Sequence, residues 1–492
     1  MPDVYRAVPG SPQPVSDNCC SESDSSRPAL DSCHHTQGSP CSEPAANSFY
    51  VHNLGCKVNR VESDVLSTSL LTAGAQCSSR EMADVIIVNT CTVTAEADAK
   101  TRKAIRQAHA APHRPWVIAT GCAVAIERAT YEALGDRVLA EPDRNRAQEK
   151  ALELLKLSRP AIAAPLPVPT GEGFNTRRGI KIQDGCDNAC TFCIVRVARG
   201  RAHSLPPATI LEQVLAAEGE RVREIVLTGV NIGSYCAVDV PPGVGGSAAG
   251  TTADATTNTL ANTATSATPD TATPTLDLCH LVSRLLDATS KLRIRLSSLE
   301  PQHASDELLA LMAASDGRLC AHLHLPLQSG SDRTLTAMGR LYDTAIFAQR
   351  VRRARELMPH LALTTDVIVG FPGESDQDFA QSLAFCERMA FARMHVFRYS
   401  KRPATPAAKM PHQVSPALSA ARAASMRNLA VKMRQHDLAA RVGTTELVLV
   451  ERHGFGTSES YHRVELVGNP SIGDLIPVHL TAHRDTLLQG IY

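Results

Sequence analysis

Cys186, Cys190 and Cys193 stand in a CxxxCxxC arrangement within DGCDNACTFC, and this spacing restricts the chain more than any other feature. Three thiolates held this close, with no fourth cysteine in the same loop, can ligate three irons of a [4Fe–4S] cluster. The fourth iron is then left open for a cofactor or substrate ligand. A closed structural zinc site is the alternative, but it wants four ligands, usually as paired CxxC motifs, and His203 is the conceivable fourth here. The N-terminus lacks the basic start and apolar core of a secretory signal, so the 15 cysteines are read as thiols, metal ligands or catalytic groups in a cytoplasmic protein. No apolar run reaches the roughly 18 residues a spanning helix needs, which predicts no membrane partner.

Three further cysteines repeat one theme. FYVHNLGC ends at Cys56, ADVIIVNTC at Cys91 and WVIATGC at Cys122, each a strand-like run followed by helix-compatible sequence. The intervals of 35 and 31 residues fit a strand, a helix and two turns. If these units form an open parallel α/β sheet, all three thiols fall at its carboxyl edge, where such sheets place ligands. Cys77 lies outside the theme and reads as an ordinary small apolar residue.

A length of 492 residues suggests about three domains. Residues 1–46 are Ser- and Pro-rich without apolar periodicity and read as a disordered extension; Cys19, Cys20, Cys33 and Cys41 beside His34 and His35 read as part of that tail rather than a metal site. The N-terminal α/β domain is placed at 47–160 and is followed by a Pro- and Gly-punctuated linker near Ala161–Gly173. A second α/β domain spans 172–412, with a Thr/Ala-rich surface insertion at 237–275. Its six strand candidates, RGIKIQD, REIVLTGV, LRIRLSSLE, HLHLPLQ, LTTDVIVGF and RMHVFRYS, alternate with amphipathic helices and predict a partial or full parallel barrel. Residues 413–440 read as a linking helix, and 441–492 as a small β-barrel of the oligonucleotide-binding sort.

CxxxCxxC at the end of a first barrel strand resembles the radical S-adenosylmethionine superfamily. Combined with Cys56, Cys91 and Cys122 and a terminal small barrel, it resembles the methylthiotransferases over roughly residues 47–492, apart from the insertion. NLGCKVNRVESD, VNTCTVTAEADAK and IQDGCDNACTFC are similar to the MtaB branch, which modifies threonylcarbamoyladenosine at tRNA position 37. The resemblance implies two [4Fe–4S] clusters. Cys186, Cys190 and Cys193 would hold the one that binds S-adenosylmethionine, and Cys56, Cys91 and Cys122 an auxiliary one that handles the inserted sulfur. It further implies a reduced electron donor of the flavodoxin or ferredoxin type and a TRAM-like terminal barrel. Three positions depart from the branch pattern: Arg196 replaces a proline, GCAVA follows the third strand, and Ala404 replaces a glycine in YSKRPATPA.

Within that resemblance, Phe192 would pack over the cofactor. Gly229 (VLTGVN) would support the methionyl amine, Ser298 and Glu300 (SSLEP) would reach the ribose, and Val369 (VIVGFP) would lie against adenine. The 50 basic residues balance 50 acidic ones, but residues 393–437 hold nine Lys or Arg against Asp437 alone. Arg398, Lys401, Arg402 and Lys409 in that stretch, and six basic residues at 177–201, are therefore expected to meet tRNA phosphates around the anticodon loop. The terminal barrel carries four basic and six acidic residues, so contact there would rest on stacking by Phe455 or Tyr461. The expected reaction replaces the C2 hydrogen of N6-threonylcarbamoyladenosine-37 with a methylthio group. One S-adenosylmethionine would provide the methyl and another the radical. The rivals are the same reaction on isopentenyladenosine-37 and, in a different class, a zinc-stabilised RNA-binding module without catalysis.

Overall fold

A computed structural model of the chain describes residues 47–159, 176–238 and 275–492. The N-terminal extension, the Ala161–Gly173 linker and nearly all of the insertion lie outside the described residues.

The first unit alternates strictly. Its elements are β1 (Ser48–Asn53), α1 (Lys57–Thr72), β2 (Gln76–Cys77), β3 (Val85–Thr90), α2 (Ala95–His109), β4 (Trp116–Gly121), α3 (Cys122–Glu132), β5 (Val138–Ala140) and α4 (Arg144–Leu154). The strands lie in the order β2-β1-β3-β4-β5, and every neighbouring pair is parallel. All six residues of β3, VIIVNT, are buried, because helices cover both faces of the sheet. Ile86 and Val88 pack on one face with Ile105 of α2 and Tyr131 of α3. Val85 and Ile87 pack on the other with Leu66 and Leu70 of α1. Cys77 packs against this second face, as its isolated position predicts.

The second unit begins with β6 (Arg177–Lys181), β7 (Gln183–Asp184), α5 (Val195–Arg199), β8 (His203–Ser204), α6 (Pro207–Gly219) and β9 (Glu224–Thr228). It continues through β10 (Cys236–Val238), β11 (Thr275–Asp277), α7 (Leu278–Ala288), β12 (Arg293–Leu296), α8 (Asp306–Ala313), β13 (His322–His324), α9 (Asp332–Ala337) and α10 (Thr344–Leu357). It ends with β14 (Ala362–Val369), α11 (Asp376–Met389) and β15 (Arg393–Arg398). β6, β9 and β12 are parallel neighbours, as are β13, β14 and β15, and a parallel bridge from Ser298 to His324 joins the two groups. This is the six-stranded partial barrel that the strand–helix alternation predicts. β10 and β11 pair antiparallel, with Val238 opposite Thr275, so the chain leaves for the insertion and returns through one narrow ribbon.

The helices form for local reasons. In α7, Leu278, Leu281, Val282 and Leu285 recur at helical spacing and all enter the main core, and the Asp277 side chain caps the first turn. Ser375 and Asp378 close a reciprocal capping box at the start of α11. α12 (Pro416–Arg441) starts behind the Ser415 cap with proline in its first turn. β16 (Thr445–Arg452), β17 (Phe455–Ser458), β18 (Arg463–Val467), β19 (Leu475–Arg484) and β20 (Leu487–Ile491) then close a barrel in the order β16-β17-β18-β20-β19.

That small barrel covers the mouth of the partial barrel at which its strands begin. Glu224, Arg293 and Arg295, from the amino-terminal parts of β9 and β12, form a buried ion-pair group. Arg293 donates to Leu447 O (2.7 Å), and Arg295 donates to Ser458 O (3.0 Å) and Glu459 O (2.9 Å). The opposite mouth, where the strands end, is left for the cysteine loop.

Candidate functional site

β1, β3 and β4 run side by side in one direction, so the residues that follow them share one edge. Cys56 lies three residues past β1, Cys91 follows β3 directly, and Cys122 follows β4. Gly55 holds φ +135°, and a Cβ there would come within 2.9 Å of Cys91 Cβ; only glycine lets the NLGC turn lie on the second cysteine. The Cys56 thiol faces Asn59 Oδ1 at 3.5 Å, and Asn59 Nδ2 donates back to Thr90 O (2.8 Å), beside Cys91. Cys122 Sγ accepts from Arg199 Nε at 3.3 Å, and Arg199 Nη2 donates to Asn59 Oδ1 at 2.7 Å. Asn59 and Arg199 thus link the first and third thiols of this trio.

The second trio sits in the loop between β7 and α5, whose ends are tied by the β7–β8 pairing. Gly185 opens the loop at φ +67°, where a Cβ would collide with Arg201 O. Asp184 Oδ1 accepts from Gly185 N (2.8 Å), and Thr191 N donates to Met338 O (2.9 Å). Arg340 Nη1 donates to Cys190 Sγ at 3.0 Å, pairs with Glu300 and donates from Nε to Tyr342 Oη (3.1 Å). Burial pushes the Cys193 thiol up to about 12, and the neighbouring Cys190 and Cys186 add to the rise. Burial likewise pushes the Cys186 and Cys190 thiols up. Among the described residues no three His, Cys, Asp or Glu side chains converge tightly enough to hold a single metal ion. A zinc ion draws its ligands to within roughly 2.0–2.3 Å of one point, whereas each cluster thiolate goes to a different iron. Ligation of three different irons therefore does not require the thiols of either trio to meet at one point.

The expected cofactor contacts fare unevenly. Phe192 packs with Ile368, Phe371 and Met338 beside the loop. Ser298 is half-buried next to the His324 bridge, and Glu300 is held by Arg340. Gly229 and Val369 are both held by strand packing. At Gly229 a Cβ would lie 2.9 Å from the carbonyl oxygen of Gln183, so the glycine lets the two strand ends approach closely. Val369 is 1% exposed and packs with Val367 into the core under the helices, whereas the half-buried Ile368 turns to Phe192. Strand alternation thus gives Ile368, and not Val369, the face that turns away from the main core.

Inside the partial barrel the alternate residues are polar. Arg293 and Arg295 on β12, His322 and His324 on β13, and Thr364 and Asp366 on β14 alternate with Ile294, Leu323, Leu363 and Val367 of the main core. His324 meets Thr364 Oγ1 (3.0 Å) and Asp366 Oδ2 (3.3 Å). Lys57, next to Cys56, reaches the same space, 5.1 Å from the Tyr461 ring centre. Burial raises the Asp366 carboxyl, but the charges of His324, His395 and Lys57 outweigh it and hold it below the usual carboxylate value. The buried Thr228 Oγ1, at the end of β9, and Ser297 Oγ, directly after β12, have no hydrogen-bond partner among the described residues.

The basic residues also divide. Arg398, Lys401 and Lys409 are exposed. Arg402 is not available to phosphate: it is buried, pairs with Asp98 at 2.6 Å and donates to Thr92 Oγ1, so it locks the loop after β15 onto α2. Arg422 is likewise consumed, paired with Glu374 (2.8 Å) and Asp376 (2.7 Å). In 177–201, Arg177, Arg178, Lys181 and Arg199 are all in ion pairs with less than a quarter of each side chain exposed, a further correction to the phosphate-facing expectation. Tyr461 cannot offer a stacking face, because Arg295, Lys57 and Arg177 surround its ring at 4.7, 5.1 and 5.4 Å. Phe455 lies between Arg452 (4.5 Å) and Arg463 (6.0 Å). Arg199 and Arg340 went unrecognised as site residues, because nothing in their neighbourhood along the chain marks a guanidinium that will face a thiol.

Residues 180–386 match the family described as the Radical SAM superfamily, and residues 48–139 match the Uncharacterized protein family UPF0004. The threonylcarbamoyladenosine tRNA methylthiotransferase MtaB of Bacillus subtilis is 33% identical over 377 residues, covering 74% of this chain and 76% of that protein. Its counterpart of the same name in Thermotoga maritima is 31% identical over 431 residues, covering 85% and 91%. The tRNA-2-methylthio-N(6)-dimethylallyladenosine synthase of Syntrophotalea carbinolica is 30% identical over 476 residues, covering 90% and 99%. Among solved structures, the radical S-adenosylmethionine methyltransferase TsrM from Kitasatospora setae, with tryptophan and a cofactor analogue bound, superposes with a TM-score of 0.50 at 15% identity over 74% of this chain and 75% of that one. That likeness is one of fold.

Proposed function

The chain belongs to the radical S-adenosylmethionine tRNA methylthiotransferase family, an enzyme family that uses S-adenosylmethionine and a [4Fe–4S] cluster, and we propose that it methylthiolates C2 of N6-threonylcarbamoyladenosine-37 in tRNA. In this reading Cys186, Cys190 and Cys193 hold the cluster that binds S-adenosylmethionine, and Cys56, Cys91 and Cys122 hold a second one. Membership in an enzyme family sets aside the non-catalytic zinc module.

The polar barrel interior carries the choice of substrate. A threonylcarbamoyl group brings a carboxylate, a hydroxyl and a urea-like linkage, whereas an isopentenyl group brings only hydrocarbon. Lys57, His324 and Asp366, with the unpartnered hydroxyls of Thr228 and Ser297, offer a cation, a carboxylate and free hydrogen-bonding groups. An apolar substituent placed there would leave them unsatisfied, at roughly 1–3 kcal/mol for each buried group.

When bound, the cofactor and clusters supply the radical, the sulfur and the methyl group needed at an aromatic C–H that no ordinary base can remove. The chain's own part is to hold and enclose. The β7–β8 pairing and the Thr191 anchor fix the loop of the second trio, and Arg340 donates a hydrogen bond to Cys190 Sγ. The exposed Arg398, Lys401 and Lys409 offer phosphate contacts to an anticodon loop whose base is unstacked. Mass spectrometry of tRNA nucleosides from strains with and without this gene tests the reading. Loss of the methylthio derivative of threonylcarbamoyladenosine is expected. Loss of the isopentenyladenosine derivative would move the chain to the branch of the Syntrophotalea carbinolica enzyme, to which it is similar over 476 residues.

A further inference from the structure

Arg199 ends α5, the short helix that follows the second cysteine trio, yet its side chain points into the first. Only 3% of that side chain is exposed. Nε donates to Cys122 Sγ (3.3 Å), Nη1 to Glu62 Oε1 and Asp184 Oδ1 (both 2.9 Å), and Nη2 to Asn59 Oδ1 (2.7 Å) and Glu62 Oε2 (3.1 Å). These bonds use every face of the guanidinium fork. Asn59 and Glu62 belong to α1, Cys122 opens α3, and Asp184 lies on β7. One residue therefore ties two elements of the first unit to the strand that launches the cysteine loop of the second.

The charges around it are unequal. Glu62 also receives Arg144 (2.7 Å) and Lys181 (3.0 Å), and Lys181 reaches Asp184 (3.1 Å). Three cations meet two carboxylates, which leaves one positive charge in excess beside Cys122 Sγ. A buried guanidinium is weakly hydrated and nearly fixed in place, so this excess persists whether or not the thiolate carries metal. Positive charge and hydrogen bonds to a ligand sulfur both favour the more reduced, more negative state of an iron–sulfur centre.

We propose that Arg199 is a positioning residue that docks the first unit on the second and raises the reduction potential of the cluster held by Cys56, Cys91 and Cys122. The potential half rests on the ligand assignment above; the docking half does not. A neutral side chain removes both the charge and the fork. Lysine keeps the charge but, as a single ammonium, cannot serve four partners at once.

Two variants separate the effects. In anaerobically reconstituted full-length Arg199→Gln, redox titration followed by electron paramagnetic resonance is expected to show the first-trio cluster shifted to lower potential, with the second-trio cluster unmoved. A Cys190→Ala protein, which retains only the first-trio cluster, assigns the signals. Arg199→Lys should keep most of the potential. In cluster-free protein, both variants should exchange amide hydrogens several-fold faster than wild type over residues 57–72. Unchanged potential in Arg199→Gln overturns the electrostatic half, and unchanged exchange in both variants overturns the docking half. If Arg199→Gln fails to hold the cluster, Arg199→Lys decides, because a first-trio potential well below wild type although the positive charge is kept would contradict the role given to the charge. A wild-type protein with iron for only one cluster would instead show the ligand assignment to be wrong, while the exchange measurement still judges docking.

Discussion

Arg402 Nη2 lies 2.6 Å from Asp98 Oδ2, with 8% and 16% of the two side chains exposed. This pair spans the two α/β units, from the loop after β15 to the first turn of α2, and Ala95 N donates to Ser400 Oγ (3.0 Å) beside it. Removing one partner of a buried pair leaves the other charge uncompensated, at a cost of about 3–5 kcal/mol. Arg402→Ala should therefore lower the urea midpoint markedly and leave the salt dependence of tRNA binding unchanged. Lys401→Ala, one residue earlier and exposed, should do the reverse, with an unaltered midpoint and a salt slope reduced by about 1. Equal effects from both variants would contradict the division between a clamp and a phosphate contact.

Glu224 is fully buried beneath Arg293 and Arg295, which in turn hold the terminal barrel. Burial alone would raise its carboxyl, but the two guanidinium groups and Arg177 hold it well below the usual value. The stability this confers is complete above the unfolded-state value near 4.5 and is lost as pH falls below it. Glu224→Gln should cost about 3–5 kcal/mol at neutral pH. It should also loosen the terminal barrel, seen as faster hydrogen exchange across 445–492, and the penalty should shrink in acid.

Tyr461 is ringed by cations. Lys57, against the opposing effect of burial and with help from Arg177 and Arg295, lowers its hydroxyl to about 7 from an unfolded value of 10.0. An acid depressed in the folded state adds stability that is fully present above its unfolded value and is lost as pH falls through its folded value. Unfolding free energy should thus rise between pH 7 and 10, and Tyr461→Phe should flatten that rise. A tyrosinate absorbance band that titrates near neutrality should disappear in the same variant. Titration of every tyrosine near the ordinary value would contradict this.

Much of the architecture is legible in the residues. VIIVNTC and WVIATGC announce buried parallel strands because both faces need apolar cover, and a cysteine directly after each strand can only lie at the carboxyl edge. The partial barrel follows from six such runs separated by amphipathic helices. What stays hidden depends on tertiary partners. Lys401 and Arg402 look alike in sequence, and only the docking of α2 turns one inward. Val369 and Ile368 differ by a single step of strand register, and no local pattern fixes which of two apolar neighbours faces the interior. Arg199 meets Glu62 from 137 residues away, a pairing that exists only once the two units close on each other.

Iron and acid-labile sulfide analysis of anaerobically purified protein tests the two-cluster assignment most directly. Wild type is compared with a variant carrying Cys56→Ala, Cys91→Ala and Cys122→Ala. Two clusters require about eight irons per chain in wild type, falling to about four in the variant while the S-adenosylmethionine-binding cluster keeps its spectrum. About four irons in both proteins would contradict the assignment of a second cluster to the first trio.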